Sequence, residues 1–251
     1  MERSEYDKLD RVEDRMWWFA ALHTNLLMLA SQAPCEALSL PILDAGCGTG
    51  GFIARLAGRY RDIAIFGLDL DPEACCRAAA KSGRPVCAGS VNQLPFADRS
   101  VAVIFSADVL CHEAVDEKRA LRQFHRCLTD GGRLIVNLPA YCWMLSRHDR
   151  AVRNIRRYTA SGLRRLLHAT GFQLIYISYW NAALFPIMAT ARKLFDRRRA
   201  AASDVELYPT PVDMFCRLVT QIETGMLRRG IRLPFGGSVL AIAAKADTGH
   251  V

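Results

Sequence analysis

The sequence predicts an α/β fold, a parallel sheet covered by helices on both faces. Three observations carry this. Short apolar runs alternate with segments of helical period from residue 42 to residue 138. The first run leads into PILDAGCGTGG, where four glycines crowd a strand-to-helix junction. A last run, SVLAIAAK at 238–245, is apolar almost throughout, as a strand buried on both faces is.

The opening segment, 6–31, has helical spacing with Trp17, Trp18 and Phe19 clustered in it, and Pro34 stops it. A strand is expected at 42–44, a helix at 51–61, a strand at 63–69, a helix at 72–82 and a strand near 85–88. Strand 101–106, helix 115–128 and strand 133–138 repeat the pattern. Helix 160–170 closes on Gly171, a residue that tolerates the left-handed C-cap, and strand 172–179 follows. Helical segments fill 182–230, and the last strand comes after Gly236 and Gly237. One domain is expected, with a helical cap at 1–40, a core at 41–180, a helical insertion at 181–235 and the last strand with its tail at 236–251.

Apolar residues make up 51% and charged residues 23% of the 251, a globular composition that excludes a disordered or fibrous chain. The net charge of +8 comes from arginine far more than lysine, concentrated in the second half; it fits an anionic partner or a solubilising surface. The nine cysteines are scattered and form no CxxC pair, so free thiols in a reducing cytosol are expected rather than disulfides or zinc. The start of the chain, MERSEYDKLDRVEDR, has no basic leader followed by an apolar run, and a cytoplasmic location is expected. The uncharged stretch 174–191 reads as a strand followed by an amphipathic helix. It also allows Leu184, Phe185, Ile187 and Met188 to dock at the inner membrane face above the arginines of RKLFDRRR.

The glycine loop has two readings. Gly46, Gly48 and Gly51 satisfy GxGxxG, which would set a dinucleotide pyrophosphate on a helix N-terminus. Read as Asp44-x-Gly46-x-Gly48-x-Gly50, the loop has a carboxylate at its entrance, which repels a pyrophosphate and attracts an ammonium group. ILDAGCGTG resembles motif I of the class I S-adenosylmethionine-dependent methyltransferases, and the likeness continues in order. GLDLDPEA resembles the acidic motif of the second strand, GSVNQLPFADRSVAVIFSADVLCH the segment that encloses adenine, and LTDGGRLIVNLPAY the turn before the fifth strand. DRMWWF, SRHDRAVRNIRRYT and PFGG are similar to features of a bacterial branch related to methyltransferase type 11.

The resemblance implies a Rossmann-like seven-stranded, mostly parallel sheet with an antiparallel last strand and an acceptor-side insertion near 141–160. It implies S-adenosylmethionine as cofactor, held by Asp44, Gly46, Cys47, Gly48, Gly50, Asp69, Leu70, Ser90, Val91 and Ala107, with Asp69 on the ribose hydroxyls. The chain departs from the pattern at Ser90, where the family has an aspartate for the adenine amino group, and at SVA in place of SFD before the fourth strand.

Methyl transfer needs alignment of the acceptor and exclusion of water, and it calls for no metal. A hydroxyl or acidic-carbon acceptor would use a general base. His112 at the end of the fourth strand, and His148 and Tyr158 on the insertion, are the candidates, each with packing as the competing role. Trp17 and Trp18 form either a lid over a sulfonium or a staple onto the sheet; Tyr141 lies on the acceptor side with them. Arg156 and Arg157 predict an anionic acceptor, such as a phosphate- or lipid-linked molecule. The function expected is methyl transfer to a small or lipid-like molecule. An RNA methyltransferase, a non-catalytic S-adenosylmethionine-binding protein and an NAD oxidoreductase are the alternatives. The absence of an added RNA-binding module or base-flipping tetrapeptide argues against nucleic acid.

Overall fold

The computed structural model describes residues 3–31, 40–195 and 207–246. Seven strands form one sheet: β1 (Ile42–Ala45), β2 (Ile65–Asp69), β3 (Val86–Ala88), β4 (Val101–Ala107), β5 (Leu128–Pro139), β6 (Phe172–Trp180) and β7 (Ser238–Lys245). Their order is β3-β2-β1-β4-β5-β7-β6. The pairs among β1 to β5 are parallel, and β7 runs antiparallel to both β5 and β6, as expected for the last strand. The order reverses between β1 and β4. At such a switch point two loops leave the sheet in opposite directions and open a crevice at the strands' carboxyl ends.

The sheet's period of two divides its side chains between two cores. Ile104, Leu134, Val136 and Ala241 face Leu121 and Phe124 of α5 (Glu117–Cys127) and Leu163 and Leu167 of α7 (Ala160–Ala169). Their neighbours Val103, Phe105, Ile135 and Ile242 face the opposite side. There they meet Leu22 and Leu26 of α2 (Trp17–Ala30), Ile53 and Leu56 of α3 (Gly51–Arg59), Ala78 of α4 (Pro72–Ser82) and Leu227 of α9 (Thr210–Arg228).

Local chemistry explains most boundaries. Asp71 caps α4, accepting from Glu73 N at 2.9 Å and Ala74 N at 3.0 Å, with Pro72 at the first helical position. Asp116 caps α5 and Thr159 caps α7. The single N-terminal helix expected over 6–31 is two, α1 (Arg3–Val12) and α2, broken at 13–16. Met16 offers α2 no side-chain cap. Instead Asp213 Oδ1 of α9 accepts from Trp17 N at 2.8 Å, a partner remote in sequence. The insertion carries a short helix, α6 (Arg147–Ala151), and the excursion before β7 comprises α8 (Phe185–Phe195) and α9. Leu184 and Phe185 are buried and Met188 is half-buried, so of the four residues expected to dock on a membrane only Ile187 stands well exposed. The arginines at 197–199 lie outside the described residues. No described helix is long and apolar enough to cross a membrane.

Candidate functional site

The glycine loop between β1 and α3 builds the first wall. Gly46, Gly48 and Gly50 have φ of +92°, +53° and +99°, which favours glycine at each. A Cβ on Gly50 would lie 2.5 Å from Ala78 Cα, and one on Gly46 would collide with Val109. The N–H groups of Gly46 and Cys47 both donate to Leu68 O, at 2.7 and 3.0 Å, which draws the loop across the end of β2.

Two strand ends bring carboxylates to this loop. Asp69 Oδ2 accepts from Gly48 N at 2.9 Å, while Oδ1 accepts from Tyr6 OH at 3.0 Å and Asp71 N at 3.1 Å. Asp44 is buried and its Oδ2 has no partner. Burial, then the nearby Asp69 and Glu13, push its pKa up to about 8. Glu13 reaches in from the α1–α2 break to accept from Thr49 Oγ1 at 2.8 Å and from Lys81. Burial raises its pKa as well. A Cβ on Gly51 would lie 2.7 Å from Glu13 Oε2, so an acidic group occupies the N-terminus of α3 where a pyrophosphate would sit. The donor set is anionic, with an unpaired oxygen, and fits a ligand bearing an ammonium or sulfonium rather than a dinucleotide.

A cavity of about 770 Å³ runs from this pole across the strand ends, within the usual size of ligand sites. Asp44, Gly46, Cys47, Gly48, Asp69, Leu70, Ser90, Val91 and Ala107 line it, as do Trp17, Trp18, His112, His148 and Arg157. Gly50 shapes the loop from behind. The remaining three expected residues lie off the wall. Tyr158 OH is 2.9 Å from Leu110 O and 2.7 Å from Glu117 Oε2, its ring in the core with α5 and α7, which corrects the expectation of a catalytic tyrosine. Tyr141 stacks between Trp143 and Tyr179, at 5.8 and 5.3 Å. Arg156 donates to the carbonyls of Leu110, His112 and Val115, stitching the insertion to the β4–α5 loop.

Arg157 reaches the cavity but as half of a pair. Its Nε and Nη2 donate to Asp149 Oδ1 and Oδ2 at 3.0 and 2.9 Å, and Nη1 donates to Ala140 O at 3.0 Å. Both residues are buried, so this bidentate pair is close to neutral toward a ligand. Arg147, His148 and Arg192 also line the cavity.

The structure also brings in residues the motifs did not single out. Asp108 directly follows β4, with φ +56°. Its Oδ1 accepts from Asn137 Nδ2 at 3.1 Å, and Asn137 Oδ1 in turn accepts from Trp180 Nε1 at 2.7 Å. Burial, partly offset by Arg157 and the Asn137 bond, pushes its pKa up to about 7. It lies four residues before His112, the candidate expected at this end of the sheet, and nothing in the sequence singled it out. Burial lowers the pKa of His112, whose Nδ1 accepts from Ala114 N at 3.2 Å. His23 faces Phe52 at 5.3 Å, and burial first, then Arg55, lower its pKa to about 3. His23 Nδ1, Trp17 Nε1 and Asn181 Oδ1 are buried without partners, and all three residues line the cavity. Trp18 meets Phe19 edge-on at 5.0 Å and tilts over Trp180 at 5.8 Å, so it both packs on the sheet and lines the cavity. Among the described residues no group of three or more His, Cys, Asp or Glu is arranged to hold a metal.

Residues 43–136 match the family model described as a methyltransferase domain. The chain is 31% identical over 156 residues to the O-methyltransferase cnsE of Penicillium expansum, which covers 55% of this chain and 53% of that protein. It is 35% identical over 115 residues to a malonyl-[acyl-carrier protein] O-methyltransferase of Dechloromonas aromatica, covering 45% and 42%. The chain thus spans about half or less of the curated relatives it matches. Among solved structures, a TehB-like S-adenosylmethionine-dependent methyltransferase of Corynebacterium glutamicum superposes with a TM-score of 0.52 at 16% identity, covering 89% of this chain and 88% of that one. Geranyl diphosphate C-methyltransferase of Streptomyces coelicolor does so with 0.55 at 14% identity, covering 82% and 69%. The sheet order, the glycine loop with its two strand-end carboxylates and the matched segment agree: residues 43–136 carry a methyltransferase domain, on a fold shared with S-adenosylmethionine-dependent methyltransferases.

Proposed function

We propose that this protein transfers a methyl group from S-adenosylmethionine to a small or lipid-like acceptor that gives up a proton. The observation that carries the reading is Asp44, buried with an unpaired oxygen beside the glycine loop and across from Asp69. When bound, the cofactor supplies an electrophilic methyl group on a positively charged sulfur and leaves as S-adenosylhomocysteine.

Asp44 holds the ligand's ammonium end, and Asp69 takes the ribose hydroxyls in exchange for the Tyr6 hydroxyl. Leu70, Ser90 and Val91 flank the base, and Cys47, Gly48 and Ala107 close around the chain between. Trp17 and Trp18 exclude water from their stretch of the cavity wall. Asp108 accepts the acceptor's proton on Oδ2, with Oδ1 held by Asn137. A carboxylate with pKa near 7 is matched to that task, since it is available as base near neutrality and strong enough to compete for the proton. His112 and His148 orient the acceptor. An anionic acceptor would meet Arg147 and Arg192 on the cavity wall. Residues 41–180 serve as the cofactor core, with 1–40 and 181–235 closing it, and the free thiols fit a reducing cytoplasm.

Calorimetric titration with S-adenosylmethionine and separately with NAD, on wild type and Asp69→Ala, tests the cofactor. Binding of the sulfonium compound alone, lost in the variant, is expected. Binding of NAD, or of neither, refutes the reading. Single-turnover transfer of labelled methyl to malonyl-acyl carrier protein, geranyl diphosphate or simple phenols then separates an enzyme from a binding-only protein.

A further inference from the structure

The helix α9 has two apolar faces and uses one. Cys216, Thr220, Glu223, Thr224 and Leu227 are buried on the side that packs against α2. On the opposite side Met214, Phe215, Leu218 and Ile222, at helical spacing, are 64%, 57%, 57% and 60% exposed. Leu207 and Tyr208, just before the helix, are exposed as well, and Tyr208 also lines the cavity.

We propose that this outward face of α9 docks the protein on an anionic membrane surface beside the opening of the cavity. Charge supports a membrane over other occupants. No carboxylate stands on the exposed stripe: Asp213 is turned to Trp17 N and Arg217, and Glu223 is buried, accepting from Asn181 N and Ala183 N, both at 2.7 Å. The helix ends on exposed Arg228 and Arg229, with Arg232 following, and none of these pairs with a carboxylate among the described residues. An apolar stripe ending in arginines on a chain of net charge +8 has the pattern of a helix lying in the headgroup region of an anionic leaflet. A second copy would bring like net charge to the contact.

The test is co-sedimentation of the full chain with vesicles of equal parts phosphatidylcholine and phosphatidylglycerol, against pure phosphatidylcholine. It is read without cofactor or acceptor, so it stands or falls independently of the methyl-transfer reading. Wild type is expected to partition onto the mixed vesicles. Phe215→Ser with Leu218→Ser lowers that partition more than about tenfold at unchanged melting temperature, and Arg228→Gln with Arg229→Gln lowers it roughly fivefold per arginine removed. Equal partition of wild type and the serine variant overturns the proposal. So does a wild-type dimer in light scattering that the serine variant converts to monomer, which assigns the face to a second copy.

Discussion

With Asp44 at the cationic end of the ligand, as proposed, cofactor binding is a proton-linked event. Its carboxyl, with pKa raised from 3.8 to about 8, is mostly protonated at pH 7 in the free protein. Holding the ionised form in that setting costs on the order of 5 kcal/mol relative to an exposed carboxylate. A ligand cation at the unpaired oxygen favours the ionised form, so binding expels a proton, about 0.9 per ligand at pH 7. Apparent affinity for S-adenosylmethionine should therefore rise about tenfold per pH unit, close to a hundredfold from pH 5 to pH 7, a window below the titration of the ligand's own amine. Isothermal titration in two buffers of different ionisation enthalpy reads the proton count directly. Asp44→Asn should abolish the linkage and weaken binding, while Asp69→Asn weakens binding and keeps the linkage. Release below about 0.2 proton, with affinity flat from pH 5 to pH 7, would refute the assignment of Asp44 to the cationic end of the ligand. The same shift has the opposite sign for the free fold: a carboxyl whose pKa is raised on folding contributes stability below about pH 4 that is lost as pH rises through about 8. Asp44→Asn should flatten that part of the melting-temperature profile.

Three further outcomes test other parts of the site. Gly50→Ala places a Cβ against Ala78 at φ +99° and should cost about 3 kcal/mol, a fall of roughly 6–12 °C in melting temperature by calorimetry. In carbon-13 carboxyl spectra of the free protein, Asp108→Asn should remove one resonance titrating near pH 7, and the variant should bind S-adenosylmethionine as wild type does while losing the acidic limb of its pH–rate profile. Arg157→Met strands the buried Asp149 and should destabilise by about 3–5 kcal/mol in denaturant melts, whereas Arg157→Met with Asp149→Leu should recover most of that loss.

How far the sequence reached can be followed residue by residue. Motifs are local, and local chemistry is enough for them. The glycines at 46, 48 and 50 are required by their own backbone angles, Asp44 and Asp69 end adjacent strands of one βαβ unit, and the apolar runs could only be strands of a sheet covered on both faces. The sheet and the glycine loop with its two carboxylates were therefore legible before any coordinate. Side-chain commitments were not. Arg156 and Arg157 read as an anion-binding pair because arginine offers that chemistry, but one is spent on three carbonyls and the other on Asp149. Tyr158 read as a catalytic candidate, yet its hydroxyl is held between Leu110 and Glu117 in the core.

The long-range partners decided the rest. Tyr6 on Asp69, Glu13 at the glycine loop, Asp213 on Trp17 and Trp180 behind Asn137 and Asp108 all join residues far apart in the chain, and no spacing rule encodes such contacts. By itself the sequence determined the α/β sheet, the glycine loop and the two carboxylates beneath it, because each depends on conformational limits and periodicity within a few residues. Only the tertiary structure decided which charges are spent, which are left unpaired in the cavity and which face of α9 is left bare, because burial and partnership belong to the packed whole.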